Sequence, residues 1–180
     1  MPERRGQLLI ATSPLADPNF HRTVVLIIRD DDNGTFGLVL NRPLETTVKE
    51  ATEGSVVGGC EIDQPLHVGG PCEGMLTVLH GSRDLGEVEV IEGVYFTAAR
   101  DMIERIMADD PQPSKYFAGY SGWSAGQLDN EMDSGAWILT PAEKSLVFAS
   151  PDAMWKRIIT QVTIGKHVDV DRMPEDPSMN

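Results

Sequence analysis

Four side chains suited to soft metals, Cys60, His67, Cys72 and His80, stand within one stretch of the chain, and zinc is the first chemistry they suggest. A zinc site usually takes two ligands from one local element through a Cys-x-x-Cys or closely spaced His pair. This stretch has neither, so buried thiols and satisfied histidines are expected, with no metal and no cofactor. A spread-out arrangement at His80 or around Cys60 and Cys72 is what keeps a metal-assisted or hydrolytic enzyme as the alternative reading. Asp30-Asp-Asp-Asn-Gly34 has the look of a calcium loop. Aligning Gly34 with that loop's glycine puts Arg29 at the first ligand and Leu40 at the last, so it reads as a solvated hairpin tip.

Nucleophilic chemistry would centre on Gly119-Tyr-Ser121-Gly-Trp123, which misses a nucleophile elbow because Trp123 stands where a small residue is needed. His167 is the one histidine that follows Ser121, and it lies in the acidic tail. No catalytic residue is therefore assigned. The longer run Gly119 to Leu128 is a glycine-rich turn leading to a capped helix, where free amides and the helix dipole favour an anion. It lacks the Gly-Lys-Ser/Thr ending of a phosphate loop and the Gly-x-Gly-x-x-Gly of a dinucleotide site. Tight packing under Tyr120 and Trp123 is the competing account. A second cluster joins Asn41-Arg42-Pro43 to Val68-Gly69-Gly70-Pro71. Arg42 could hold a carboxylate or phosphate with its bidentate fork, or pair with one of the many surface acids. The candidate ligand-binding set is thus Asn41, Arg42, Gly69 and Gly70, with Tyr120, Ser121, Gly122, Trp123, Gly126 and Gln127.

These groups need elements to position them. Gln7 to Thr12, Thr23 to Ile28 and Thr35 to Leu40 read as strands, the last two joined through Asn33-Gly34 as an antiparallel hairpin. Val24 to Ile28 is apolar without alternation, which predicts a central strand covered on both faces. Thr47 and Glu50 form a capping box for a short helix. Residues 53–73 read as a long loop. Strands follow at Met75 to His80, Glu87 to Ile91 and Val94 to Phe96, then an amphipathic helix from Thr97 to Asp109 that Pro111 and Pro113 end. Lys115 to Tyr120 reads as a strand. Ser124 and Gln127 read as a second capping box, for a helix to Asp133. Short strands near Ala136 to Leu139 and Ser145 to Phe148 precede a helix opened by Ser150-Pro151, burying Met154, Ile158 and Val162. From Lys166 on, acids, Pro and Asn predict a disordered tail over 166–180.

The whole chain has 180 residues and a net charge of −13, which suits one domain over 1–165 and argues against the third reading, a direct DNA-binding transcriptional regulator, since phosphate contacts need clustered Lys and Arg. No apolar run approaches the roughly 18 residues of a membrane span, and Leu8 to Ala11 is too short for a signal-peptide core. With two cysteines only, a reducing, cytoplasmic setting is expected.

Taken together these segments resemble the YqgE/AlgH family, also called UPF0301. The resemblance rests on Gly6 to Ala11, Asp17-Pro-Asn-Phe20, Thr23 to Leu26, Gly37 to Pro43, Gly69 to Pro71, Leu79-His80, Gly119 to Leu128, Glu131 and Trp137, and spans about 6–165. Ser121 stands where the family often has alanine, which makes it a poor nucleophile. The resemblance implies an α/β (α+β) fold: a single domain with a strongly curved, barrel-like, mainly antiparallel or mixed sheet and helices outside. It implies no established activity. One member's association with alginate regulation would act here through an unknown small molecule or protein partner, not through DNA or a membrane.

Overall fold

The computed structural model describes residues 4–12, 17–54 and 60–170, with side chains up to 164. It is a mixed α+β fold with two sheets and five helices among the described residues. The first sheet holds β1 (Gln7–Ala11), β2 (Val24–Asp31) and β3 (Gly34–Val39). The second begins with β4 (Pro43–Thr47), β5 (Pro65–Val68), β6 (Thr77–His80), β7 (Val88–Ile91) and β8 (Val94–Thr97). It is completed by β9 (Ser114–Ala118), while β10 (Ser121–Ser124) and β11 (Trp137–Pro141) return to the first sheet. Strand order is β10-β3-β2-β1-β11 in one and β4-β5-β9-β6-β8-β7 in the other. All pairings are antiparallel except β5 with β9.

Two sheets stand where one curved, barrel-like sheet is expected, and neither closes on itself. The reason lies in the alternation of β1 to β3: both strand faces are apolar, so each needs its own cover. Leu8, Ile10, Leu26 and Leu38 face the central core, where Leu79, Val94 and Phe117 of the second sheet meet them. Leu9, Val25, Ile27 and Val39 face the other way, under Trp123, Trp137 and Leu128. As its apolar run predicts, β2 is the middle strand of its sheet, buried on both faces.

The helices are α1 (Val48–Thr52), α2 (Arg100–Asp109), α3 (Gln127–Asp133), α4 (Lys144–Val147) and α5 (Met154–Val170). Thr47 caps α1 with both halves of the capping box in place. Ile103, Ile106 and Met107 of α2 cover the outer face of the second sheet. Met154 and Ile158 of α5 join the central core, with Val162 packed partly against it.

Several expectations are corrected. Residues 144–147 form a helical turn and not a strand, and the loop over 53–73 contains β5, its residues 55–59 lying outside the described ones. The Ser124/Gln127 box is half present: Gln127 Oε1 accepts from the Ser124 amide at 3.1 Å, but Gly126 is the cap of α3 and Ser124 belongs to β10. The hairpin turn carries positive φ at Gly34 alone, where a Cβ would meet the Trp123 carbonyl oxygen at 2.2 Å, so glycine is needed for β10 to pair. The backbone of α5 continues through Val170, into the span expected to be disordered; the rest of that tail, 171–180, lies outside the described residues. No helix among the described residues is long and apolar enough to cross a membrane.

Candidate functional site

Two crossings of the chain between the sheets, and the segment that leaves β5 for β6 within the second sheet, lie side by side. Leu40 to Arg42 leads from β3 to β4, Gly69-Gly70 leaves β5, and Gly119-Tyr120 joins β9 to β10. Main-chain bonds knit them: Val39 N–H to Gly69 O at 2.8 Å, Gly69 N–H to Ala118 O at 2.9 Å, and a reciprocal Cys72–Tyr120 pair at 3.0 Å. A Cβ on Gly69 would stand 2.3 Å from the Gly119 carbonyl oxygen, so this approach requires a residue without one. The three glycine-bearing motifs therefore meet as backbone.

Their side chains point elsewhere. Asn41 accepts from the Val24 amide and donates to Arg22 O, both at 2.9 Å. Arg42 donates to Pro18 O and His21 O at 3.3 and 3.2 Å, holding the loop before β2. Ser121, fully buried, donates to Gly69 O at 3.1 Å. The indoles of Trp123 and Trp137 both donate to Glu131 Oε2, at 2.9 and 2.8 Å, while Gln127 donates to Oε1 at 3.0 Å. Gly70 packs on Ser121 and Tyr120, and Gly122 and Gly126 lie at the surface. Of the candidate side chains, Tyr120 is the one that opens into an apolar cleft.

That cleft, of about 680 Å³, lies where the two sheets meet. Phe36 of β3 and Tyr120 stack with ring centres 5.1 Å apart, and Phe96 of β8 meets Phe36 edge-on at 5.7 Å. Ile28 and Val88 complete the wall. Met75 stands at the mouth with 75% of its surface exposed. Sequence reasoning missed Phe36, Phe96 and Met75. The signal for Phe36 was its place in β3, two residues before the inward-facing Leu38 and so on the same face, opposite the point where β2 bulges between Ile27 and Arg29.

Beside it runs a smaller polar groove of about 430 Å³, floored by Arg4 and Asp30 and edged by Gly126. Arg4 bridges Asp30 (Nε–Oδ2 2.8 Å) and Asp129 (Nη1–Oδ1 2.7 Å). Burial opposes ionisation of Asp30, but hydrogen bonds from Arg4 and Thr35 outweigh it and hold the carboxyl below its ordinary range. Arg4, Asp30 and Asp129 of the groove are thus committed to one another.

The histidine proposed for an enzyme is committed too. His80 Nδ1 accepts from the Ser82 amide at 3.2 Å, and Nε2 lies 3.0 Å from Thr97 Oγ1, whose own proton goes to Leu85 O at 2.8 Å. Nε2 must then be the protonated nitrogen. Burial pushes its pKa down, partly offset by the Ser82 contact. His67, buried beside Lys115, is pushed down to about 4 by burial and by that lysine's charge. Both cysteines are free thiols, and no group of three metal-binding side chains forms among the described residues.

An AlgH-like family model, DUF179, matches residues 8–167. A UPF0301 protein of Chlorobaculum tepidum is 37% identical over 182 residues, covering 97% of this chain and 95% of that one. Another from Thermobifida fusca is 37% identical over 191 residues, covering 97% and 94%. The solution structure of the AlgH protein from Pseudomonas aeruginosa superposes with a TM-score of 0.74 at 26% identity, over 97% of each chain. A crystal structure of a Corynebacterium diphtheriae protein shares the fold, with TM-score 0.68 at 23% identity, over 89% of this chain and 87% of that one.

Proposed function

The chain belongs to the AlgH-like family, and from that premise we propose that it is a binding protein, without catalysis of its own, whose ligand or partner seats in the apolar cleft between the sheets. The carrying observation is the wall built from Phe36, Phe96 and Tyr120, contributed by both sheets and the crossing between them, around a volume typical of small-molecule sites. The glycine seam supports the reading indirectly: Tyr120 is bonded in both directions to Cys72 and packed against Gly70, which holds the wall in place before a ligand arrives. The polar candidates of the sequence act in this reading as struts for the wall.

We place the protein in the cytoplasm as one domain over 1–165, a setting that suits its two free thiols. Any regulatory role runs through the cleft's occupant and not through DNA, in keeping with the net charge of −13. The test is ligand-observed NMR of the full chain against a fragment library. Hits are expected to compete with one another and to disappear in Ala98→Trp, which puts an indole into the cleft. Hits that survive this plug, or map to another surface, would overturn the assignment.

A further inference from the structure

Four charged residues line this cleft, Arg5, Arg29, Asp30 and Asp31. The two acids differ in what they can do there. Asp30 has its side chain only 8% exposed and accepts from Arg4 Nε at 2.8 Å, Arg4 Nη2 at 3.2 Å and Thr35 at 2.6 Å. Its charge is already answered within the fold. Asp31 accepts from the Asn33 amide at 2.8 Å and lies 3.3 Å from Arg29 Nε. Both partners of that ion pair face water, at 67% and 40% exposure, so it holds Arg29 only weakly. The Arg29 guanidinium carries five N–H donors in a planar fork that matches a carboxylate or sulfonate.

The rest of the lining is largely aromatic and aliphatic, and at the mouth it includes the exposed Met75, whose flexible thioether adapts to varied shapes. An aromatic body could lie on the Phe36–Tyr120 stack while an acidic group remains at the rim, without burying a charge. Resting on the reading of the cleft as the binding site, we infer that its ligand is an amphipathic anion: a flat aromatic or alicyclic body carrying a carboxylate or sulfonate that Arg29 receives. A cationic ligand would leave that guanidinium opposed, and a wholly neutral one would leave it unused.

Two fluorescent probes separate body from charge. Anilinonaphthalene sulfonate and N-phenylnaphthylamine share the aromatic body and differ in the sulfonate. Titrated into the folded full chain, the sulfonate is expected to bind about tenfold more tightly, a margin within reach of one charge-assisted hydrogen bond. Arg29→Gln should erase the difference and leave the neutral probe unchanged, Arg29→Lys should keep part of it, and Ala98→Trp should remove both. NOEs from the Phe36 and Tyr120 ring protons to bound probe in the wild-type protein place it independently of any variant. Equal binding of both probes, lost together in Ala98→Trp, would overturn the anion and keep the cleft. Binding of neither, or binding that survives the plug without those NOEs, would overturn the cleft itself.

Discussion

At the scale of single residues, two buried bases make the protein's stability depend on pH. His67 is held at about 4 against an ordinary 6.5, so the unfolded chain takes up its proton first as pH falls. Stability from this group is complete above pH 6.5 and drains away down to about 4, by about 3 kcal/mol at the 1.36 kcal/mol each pKa unit represents. Lys115 reaches Val147 O at 2.9 Å and Ala149 O at 3.2 Å, and burial lowers it from 10.5 to about 8. Here too the unfolded chain binds the proton more strongly, so stability rises between pH 8 and 10.5. Chemical unfolding across pH should show both slopes. His67→Leu should flatten the acid slope and leave the alkaline one in place, while Lys115→Met should flatten the alkaline slope and also lessen the acid one, because that lysine's charge is the second cause of the lowered His67 pKa; unchanged slopes would refute the assignment. Neither residue's burial was legible in the sequence, because a lone His or Lys on a strand carries no mark of which face it takes. Asn41 and Arg42 were legible as polar residues ending a strand, but not as ties to the loop before β2, since Pro18, His21 and Arg22 offer them carbonyls only once the chain has folded back.

Among the elements, those with strong local patterning were readable: β2 from its unbroken apolar run, α2 from its helical periodicity, and α1 from its capping box. The ones that escaped, β4, β5 and β10, are short strands with polar or glycine-rich stretches whose partners are distant in the chain. Glycines there read as turns, whereas the structure uses them to bring backbones together at the seam. Gly69→Ala tests that role. With its Cβ forced to 2.3 Å from the Gly119 carbonyl oxygen, backbone must move, and a loss above about 2 kcal/mol is expected by denaturant titration. Gly126→Ala is the control: nothing lies within 4 Å of its Cβ, and its cost is limited to the positive φ of 75° at that cap. Comparable losses in both would show that crowding at the seam is not what makes Gly69 necessary.

For the molecule as a whole, the net charge of −13 gives a prediction about partners. Duplex DNA at low salt should show no binding in a mobility or anisotropy assay, since a net charge of this sign and size repels the phosphate backbone at long range. Binding that weakens steeply as salt rises would contradict it. The order of strands has a consequence for how the chain is made. β1, near the start, is hydrogen-bonded on one side to β2 and on the other to β11, with Gln7 opposite Pro141. During synthesis the second side of β1 stays open until Trp137–Pro141 has left the ribosome, so the first sheet cannot be finished early. Pairings this distant in sequence slow folding and leave apolar strand edges exposed meanwhile. The nascent protein is therefore expected to lean on chaperones more than its modest size suggests.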